Sequence, residues 1–556
     1  MKKVIYLTAT LAFMGAMSMS GQTVKKDTVK ARTVVVEQEY TPNKRKANRL
    51  LLTPKSDRLD ATNKASKYDT SVQDNDRVVS EVMASTPAST GLFQAPLNSL
   101  HMGYGGNNYT VLDANFLTQL SDIDKLQGYV GLHGYNDGDT DLRTYTTTAR
   151  MNYQRRLSDR IFEASGEVNN HVFNYWPAVN QRHTSTDWMM RYDSRGKDWA
   201  VPFHSKIRLS TFHEAHPATK DANNETRLQI ISGAQVKTNQ QFSLGGDVEI
   251  NSFWYSLDGQ EYYIPKDDQH EYNILDAMTN YTTASLRPYF LFTPNKWTIR
   301  MGASFDLSFN NGRKIHVAPD VRAEYNLGRS TVFYANATGG KIINDFRHMK
   351  TISPYSLLLA RAEDTYEQLH ANVGLRMSPA MGLWMNFCAG YQVYDDYLLQ
   401  APIGIRVSES LNGYYGILLP TDFKRAYLTF DGQYSDPDWG MIDWKFAAYG
   451  NDADEGDVLQ SMLPVYSMKL GVEYDILNTV KMRLGYQYEV RDDEDFKEIY
   501  GPLDNVSNLS LSVTVPIQNN IEIWGSVVNL LDKEYLDYST SQVLGVTAFG
   551  GLTIKF

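Results

Sequence analysis

From about Leu97 onward, long segments of alternating apolar and polar residues follow one another, and this pattern limits the fold more than any other feature. One segment places apolar residues at every second position: Met468, Leu470, Val472, Tyr474 and Ile476. Successive side chains of a β-strand point to opposite faces, so a period of two predicts strands with one apolar and one polar face. The segments run for roughly 10 to 17 residues, which suits tilted membrane-crossing strands better than the strands of about five or six residues common in soluble proteins.

Ten tight turn signals, rich in Asn, Asp, Gly, Pro and Ser, separate pairs of these segments. They lie at residues 121–122, 158–159, 196–197, 239–240, 294–295, 328–329, 378–379, 436–437, 478–479 and 519–520. Longer polar connections lie between them, notably residues 257–274, 341–365, 397–415, 452–462 and 491–503. Short turns at one end and long loops at the other are typical of bacterial outer-membrane barrels. The sequence therefore predicts an all-β transmembrane antiparallel β-barrel of about 22 strands, with its short turns in the periplasm.

The overall composition agrees with a membrane barrel rather than a bundle of membrane helices. Only 42% of the residues are hydrophobic, yet 12% are aromatic, as expected when each strand shows lipid only alternate side chains. After the N-terminus, the sequence has no run of about 20 apolar residues, the length that a spanning helix needs. The net charge of -10 argues against nucleic acid as a partner.

The first 21 residues have the features of a secretory signal peptide. Lys2 and Lys3 precede an apolar stretch at residues 4–17, and small residues follow at 18–21. Residues 22–97 mix Lys, Thr, Asp, Asn and Ser without periodicity, which predicts an extended or disordered periplasmic segment. The barrel is expected to span residues 98–556 and to lie in the outer membrane of a Gram-negative cell.

The C-terminal region carries a recognisable motif. Asn529-Leu-Leu-Asp532-Lys-Glu-Tyr535 is followed by a Gly-containing strand that ends at Phe556. This pattern resembles the last hairpin of TonB-dependent receptors, a family of 22-stranded barrels. The terminal Phe556 is similar to the signal that the barrel-assembly machinery reads. The resemblance implies a receptor-like barrel that transports a solute across the outer membrane.

A short β-prone run near the expected mature N-terminus, Thr33-Val34-Val35-Val36, is similar to the TonB box of these receptors. An ordinary short strand is the alternative interpretation. The family carries a globular plug between box and barrel, but residues 41–97 are too few and too polar to form one. The chain thus resembles plug-less relatives from Bacteroidetes-type envelopes. The expected partners are TonB or other envelope proteins at residues 22–97, the barrel-assembly machinery, and outer-membrane lipid and lipopolysaccharide.

No pattern in the sequence predicts catalysis. His183 and Ser185 stand two positions apart, but with eleven histidines such a spacing arises by chance, and catalytic triads are defined by geometry. Asp137, Asp139 and Asp141 alternate in a predicted extracellular loop, a spacing able to gather oxygen ligands around Ca²⁺. A solvated acidic turn is the alternative, since the later bidentate Glu of a full calcium loop is missing. No other cofactor is expected.

Three functions fit these sequence features. The first is energised transport, in which residues 33–36 add as a strand to a partner sheet. The second is a passive or gated porin-like channel, and the third is a structural or assembly platform for other envelope proteins. A barrel of about 22 strands encloses a lumen too wide for wall side chains to fill. We therefore expect either residues 22–97 or the connection from Lys341 to Asp364 to fold inward.

Overall fold

The computed structural model describes residues 98–556 of the 556-residue chain. Gaps within this range are residues 139–141, 176–178, 195–200, 216–221, 258–260, 266–271, 329, 357, 359–360, 402–404, 409–410, 416–417, 455–459, 477–478, 492–502 and 539–540. The chain divides into two units, Met1–Arg77 and Val78–Phe556, and all described residues belong to the second. The predicted signal peptide, the segment 22–97 and its run at 33–36 lie outside the described residues.

Strands account for most of the described residues, and they are numbered here in chain order. Their bounds are β1 (Ser99–Gly105), β2 (Thr110–Gln119), β3 (Asp124–Asn136), β4 (Arg143–Arg156), β5 (Arg160–Tyr175), β6 (Val179–Ser194), β7 (Phe203–Ala215), β8 (Ala222–Lys237), β9 (Phe242–Tyr255), β10 (Glu261–Pro265), β11 (Tyr272–Asp276), β12 (Tyr281–Phe292), β13 (Trp297–Phe309), β14 (Ile315–Asn326), β15 (Thr331–Ile342), β16 (Thr365–Met377), β17 (Leu383–Gln400), β18 (Ile405–Ser408), β19 (Leu411–Tyr415), β20 (Leu418–Asp436), β21 (Gly440–Ala453), β22 (Pro464–Ile476), β23 (Val480–Arg491), β24 (Val506–Gln518), β25 (Ile521–Val528), β26 (Leu536–Tyr538), β27 (Ser541–Gln542) and β28 (Thr547–Lys555).

Of these strands, 22 form one antiparallel sheet, and the others pair only within the hairpins β10–β11, β18–β19 and β26–β27. Each wall strand pairs with the next wall strand along the chain. β1 pairs both with β2 and with β28, where Ser99 lies opposite Lys555. The sheet therefore closes on itself, and the prediction of an antiparallel barrel of about 22 strands is confirmed.

The ten predicted tight turns come between consecutive wall strands in chain order, from the β2–β3 turn to the β24–β25 turn, except that Asp436 still belongs to β20. Residues 196–197, 329 and 478 of these turns lie outside the described residues. The first strand, predicted near residues 100–105, is β1. In the β12–β13 turn, Asn295 adopts a φ of 45°, a conformation that Asn tolerates better than most residues. These turns lie at the short-turn end of the barrel, and the other connections lie at the opposite, long-loop end.

The two faces of the wall differ as the alternation predicts. Exterior positions carry exposed apolar side chains, such as Trp188 on β6, which lies opposite Leu209 on β7. The intervening positions are polar or charged, as Asp187 and Arg208 show on the same two strands. Because side chains alternate along a strand, these residues face the lumen. The wall is therefore apolar outside and polar inside.

The long connections contain more regular structure than the sequence predicted. The connection after β15 contains helix α1 (Phe346–Ile352), while β10–β11, β18–β19 and β26–β27 are short hairpins in three other connections. The predicted loop at 397–415 is shorter than expected, because β17 continues to Gln400. Within the described part of the chain, no helix is both long and apolar enough to cross a membrane.

Candidate functional site

The connection between β15 and β16, residues 343–364, folds into the barrel from the long-loop end and is called the inward loop. Its helix α1 contacts Asp187 on β6, Glu214 on β7 and Glu225 on β8. These residues occupy the strand positions that alternate with exterior residues such as Trp188, and they therefore face the lumen. The described part of the inward loop accordingly lies inside the barrel.

Apolar packing holds α1 against the wall. Phe346 and Met349 are 4% and 3% exposed. They belong to a buried cluster that also contains Phe212, Phe253, Tyr255, Met278, Tyr281, Leu358, Ala362 and Leu398. Tyr255 meets Phe346 edge to face, with ring centroids 5.1 Å apart. Burying side chains of this size stabilises a fold by roughly 1.5 to 3 kcal/mol each, so the cluster favours a docked inward loop.

Two carboxylates and one guanidinium group fix the start of α1. Asp345 is the N-cap residue, and its side chain accepts a hydrogen bond from the His348 N–H at 2.8 Å. This contact satisfies one of the amide groups that a helix start leaves free. Arg227 on β8 donates to Asp345 at 2.9 Å, and Glu225, which is 2% exposed, accepts from the Phe346 N–H at 2.8 Å. The first turn of α1 is thereby bound to β8.

Two cations of α1 are bound farther along the helix. Arg347 pairs with Asp187 and donates to backbone carbonyls of β6 and β7. Lys350 pairs with Glu214 at 2.8 Å, and these side chains are 4% and 1% exposed. Burial lowers the pKa of Lys350, while Glu214 acts in the opposite direction. The pair is therefore a buried one, in which loss of either partner leaves an uncompensated charge.

Polar contacts around the Asp364 carboxylate join the two ends of the inward loop. The Lys341 ammonium on β15 lies 3.6 Å from the Asp364 carboxylate. The Asn344 backbone N–H and the Tyr281 hydroxyl each donate to the same carboxylate at 3.3 Å. Burial raises the pKa of Asp364 to about 6, although Lys341 and these two hydrogen bonds act to lower it.

These contacts make the inward loop a constriction on one side of the lumen. Of the two segments expected to fold inward, the connection after β15 does so, but its helix was not predicted from the sequence. The available signal was Asp345 ahead of Phe346, an N-cap residue before an apolar one. A helix of seven residues is too short for its hydrophobic periodicity to be detected.

The C-terminal motif forms the base of the connection between β25 and β28, residues 529–546, which we call the C-terminal loop. Asn529 is 1% exposed and has a φ of 51°. Its side chain accepts from the Lys533 N–H at 3.2 Å and donates to the Leu544 carbonyl at 2.8 Å. Asp532, with a φ of 49°, accepts from the Val546 N–H at 3.2 Å. Both motif residues therefore hold the backbone of this loop.

The other two motif residues lie at opposite ends of the last hairpin. Tyr535 is 5% exposed, and its hydroxyl accepts from the side chain of Asn508 at 3.2 Å. Phe556 follows β28 at the short-turn end and is 75% exposed. Its backbone N–H donates to the Asn98 carbonyl at 3.1 Å.

The remaining predicted residues are only partly described. Asp137 is 7% exposed and its N–H donates to the Leu142 carbonyl at 2.8 Å, while Asp139 and Asp141 lie outside the described residues. In the part of the chain that the structure describes, no group of three or more His, Cys, Asp or Glu residues is arranged to hold a metal ion.

His183 and Ser185 share the lumen face of β6, because they are two residues apart on one strand. His183 lies 3.6 Å from Glu214, the same carboxylate that binds Lys350. Its ring centroid is 4.9 Å from that of His171, directly opposite on β5. The histidine therefore packs beneath α1 as part of the surface that receives the inward loop.

No protein-family model matches the sequence, and no curated protein is detectably similar to it. Solved structures are similar in fold. A copper transporter, OprC, is 13% identical, with 82% of this chain and 80% of that chain covered and a TM-score of 0.58. The FrpB iron transporter from Neisseria meningitidis is 11% identical, with 82% and 81% covered and a TM-score of 0.58. The siderophore receptor PirA from Acinetobacter baumannii is 9% identical, with 83% and 80% covered and a TM-score of 0.59. The chain thus has the barrel fold of these transporter and receptor structures.

Proposed function

We propose that this chain is a TonB-dependent-receptor-like barrel of the Gram-negative outer membrane, without a plug domain and of the Bacteroidetes type, that transports a solute. In this proposal residues 1–21 are a signal peptide, residues 22–97 a periplasmic segment and residues 98–556 the membrane barrel. The observation that carries the proposal is a closed wall of 22 strands, apolar outside and polar inside. Such a wall suits a hydrated path through a bilayer, and transport along this path needs no catalytic group.

The path would be narrowed by the inward loop. A wall of this size encloses a lumen too wide for its own side chains to fill, and α1 occupies the sector of the lumen along β6 to β8. The names of the structural neighbours, copper transporter, iron transporter and siderophore receptor, support transport through such a barrel.

Partners follow from the same proposal. Residues 33–36 would add as an edge strand to TonB or to another envelope protein. The exposed Phe556 at the end of β28 would be available to the barrel-assembly machinery during insertion. Lipid and lipopolysaccharide would contact the exterior, and Asp137, Asp139 and Asp141 would contribute oxygen ligands to a loop-bound Ca²⁺.

Transport and its energy source are tested by deleting residues 33–40 from the chain in its native host. We expect uptake of the solute to be lost while the barrel still assembles, as judged by heat-modifiable migration of the folded band. Unchanged uptake would exclude energised transport and leave a passive channel.

A structural or assembly platform is the second candidate. The observation that favours it is the buried attachment of the inward loop through Lys350 and Glu214, which obstructs part of the lumen. Single-channel recording of the purified chain in a planar bilayer, with and without residues 22–97, separates the two candidates. An absence of conductance in both forms, together with stoichiometric co-purifying envelope proteins, would support the platform.

A further inference from the structure

Cations on the exterior of the wall differ in whether a carboxylate balances their charge. Among the described wall strands, the cations that share the exterior face with apolar residues are Arg143, Arg155, Arg160, Arg182 and Lys424. Arg155, Arg160 and Lys424 lie 3.7, 3.2 and 3.7 Å from a neighbouring carboxylate. Within the described part of the chain, Arg143 and Arg182 have no carboxylate at ion-pair distance.

Arg143 and Arg182 both lie near the long-loop end of the wall. Arg143 shares the exterior face of β4 with Met151, and Arg182 shares that of β6 with Trp188. With a rise of about 3.4 Å per residue and a strand tilt of about 40°, each arginine lies roughly 30 Å above the short-turn end of its strand. The apolar exterior band of such barrels is about 25 Å tall. Both arginines therefore lie just beyond this band, at the level of the lipid headgroups of the outer leaflet.

The strand register places the two arginines close enough to share one ligand. On β4, Tyr145 is the next exterior residue after Arg143. Tyr145 lies opposite Val172 on β5, which in turn lies opposite Arg182 on β6. The arginines are thus two strands and two residues apart, a distance of about 12 Å between their Cα atoms. Two long arginine side chains can reach a single group above Val172 from opposite sides.

The described part of the chain supplies no anion at this place. The Arg143 Nε is enclosed but has no hydrogen-bond acceptor among the described residues, and Arg182 is exposed. Tyr145 and Val172, which lie between the two arginines, carry no carboxylate. A buried donor without an acceptor costs free energy, so an anion from outside the chain would be favoured here.

Below the arginines, the exterior of these three strands changes in two steps. The next row across β4, β5 and β6 consists of Thr147, Asn170 and Thr184, and the Thr184 hydroxyl donates to the Asn170 side-chain oxygen at 3.2 Å. Such hydroxyl and amide groups suit the hydroxyls of a sugar. Farther down, Met151 and Trp188 present exposed apolar surface, which suits acyl chains. The order of the three rows matches the phosphate, sugar and acyl chains of a phosphorylated glycolipid.

We propose that Arg143 and Arg182 together bind a phosphate group of the outer-leaflet glycolipid, lipopolysaccharide, on the exterior of β4 to β6. Phosphate oxygens accept charge-assisted hydrogen bonds from planar guanidinium groups, and one phosphate can accept from two of them. This inference rests on the proposed outer-membrane barrel, and it names the place on the exterior where the lipid is held.

The test measures the temperature at which the folded band of the purified full-length chain disappears on gels, as diphosphoryl lipid A is added in detergent. We expect a saturable rise, with a half-saturating concentration about tenfold higher in Arg182→Gln because one charge-assisted contact is lost. Arg182→Lys keeps the charge without the planar fork and should fall between the two. Lys424→Gln is the matched control, since Lys424 is an exterior cation that already has a carboxylate, Asp454.

Two further probes, dephosphorylated lipid A and inorganic phosphate, show which part of the lipid is recognised. Equal stabilisation by dephosphorylated lipid A, or an Arg182→Gln variant that responds as Lys424→Gln does, would overturn the proposal. Equal stabilisation by inorganic phosphate would also contradict it, because the ligand would then be the free ion.

Single-channel recording distinguishes failure of this proposal from failure of transport. A conducting barrel that shows no preference for diphosphoryl lipid A contradicts the lipid site alone. A non-conducting barrel that diphosphoryl lipid A still stabilises through Arg182 contradicts transport alone.

Discussion

The inward loop and the C-terminal loop lie at the same end of the barrel and are held in different ways. Arg347 of the inward loop reaches Asp187, a partner 160 residues earlier in the chain. Asn529 of the C-terminal loop binds Lys533 and Leu544, four and 15 residues away. A loop held by its own neighbours carries a local sequence motif, whereas a loop held by distant strands does not.

The largest effect is expected from a substitution that breaks the attachment of the inward loop. Lys350→Met removes one member of a buried ion pair and leaves the Glu214 charge unpaired, which costs roughly 3 to 5 kcal/mol. We expect the loop to undock, with higher single-channel conductance and faster tryptic cleavage after Arg361.

The control for this substitution is the double variant Lys350→Met with Glu214→Gln, which removes both charges together. It should restore most of the docking, because removing both charges leaves no unpaired charge buried beneath the loop. If the double variant has as high a conductance and as fast a tryptic cleavage as the single variant, the ion pair is not what holds the loop.

A smaller effect is expected in the C-terminal loop. Asn529→Ala loses the side-chain hydrogen bonds and places alanine at a φ of 51°, which together cost about 2 to 3 kcal/mol. The temperature at which the folded band disappears on gels should fall accordingly. Asn529→Gly separates the two causes, since glycine tolerates this φ but supplies no hydrogen bonds. Equal losses in both variants would assign the whole effect to the hydrogen bonds.

A third prediction concerns pH. The pKa of Asp364 is raised to about 6 in the docked loop, mainly by burial, against about 4 in an exposed carboxyl. The docked state therefore binds the proton more tightly, so docking strengthens as pH falls through 6 and this gain is complete below about pH 4. Between pH 7 and pH 5 the free energy of docking becomes more favourable by about 1 kcal/mol.

Hydrogen exchange of the α1 amides, corrected for the intrinsic rate at each pH, measures this dependence. Asp364→Asn removes this titrating group and should show a smaller change between the two pH values than the unsubstituted chain does. An equal pH dependence of exchange in the Asn variant would show that a group other than Asp364 is responsible.

The smallest effect is expected where a lumen ion pair is exposed. The guanidinium of Arg150 lies 2.7 Å from the carboxylate of Glu167, but these side chains are 54% and 29% exposed. Exposed pairs contribute roughly 0 to 1 kcal/mol, so Arg150→Gln should leave thermal stability nearly unchanged. A loss comparable to that of Lys350→Met would contradict the distinction between exposed and buried pairs.

Much of the barrel could be predicted because its signals are local. Alternation along each strand, such as that from Met468 to Ile476, determines which face meets the exterior. Tight turns such as 294–295 need particular residues at fixed positions, so the number of strands could be counted. The hairpins inside the long connections were missed because strands as short as Ile405–Ser408 contain too few residues for alternation to be seen.

The sequence by itself determined an antiparallel barrel of about 22 strands, its faces and its last hairpin, since period, turn chemistry and the Asn529 motif act between near neighbours. Only the tertiary structure decided which connection enters the lumen and that Lys350 meets Glu214. These features depend on closing the sheet and on the register between strands, which bring together residues far apart in the chain.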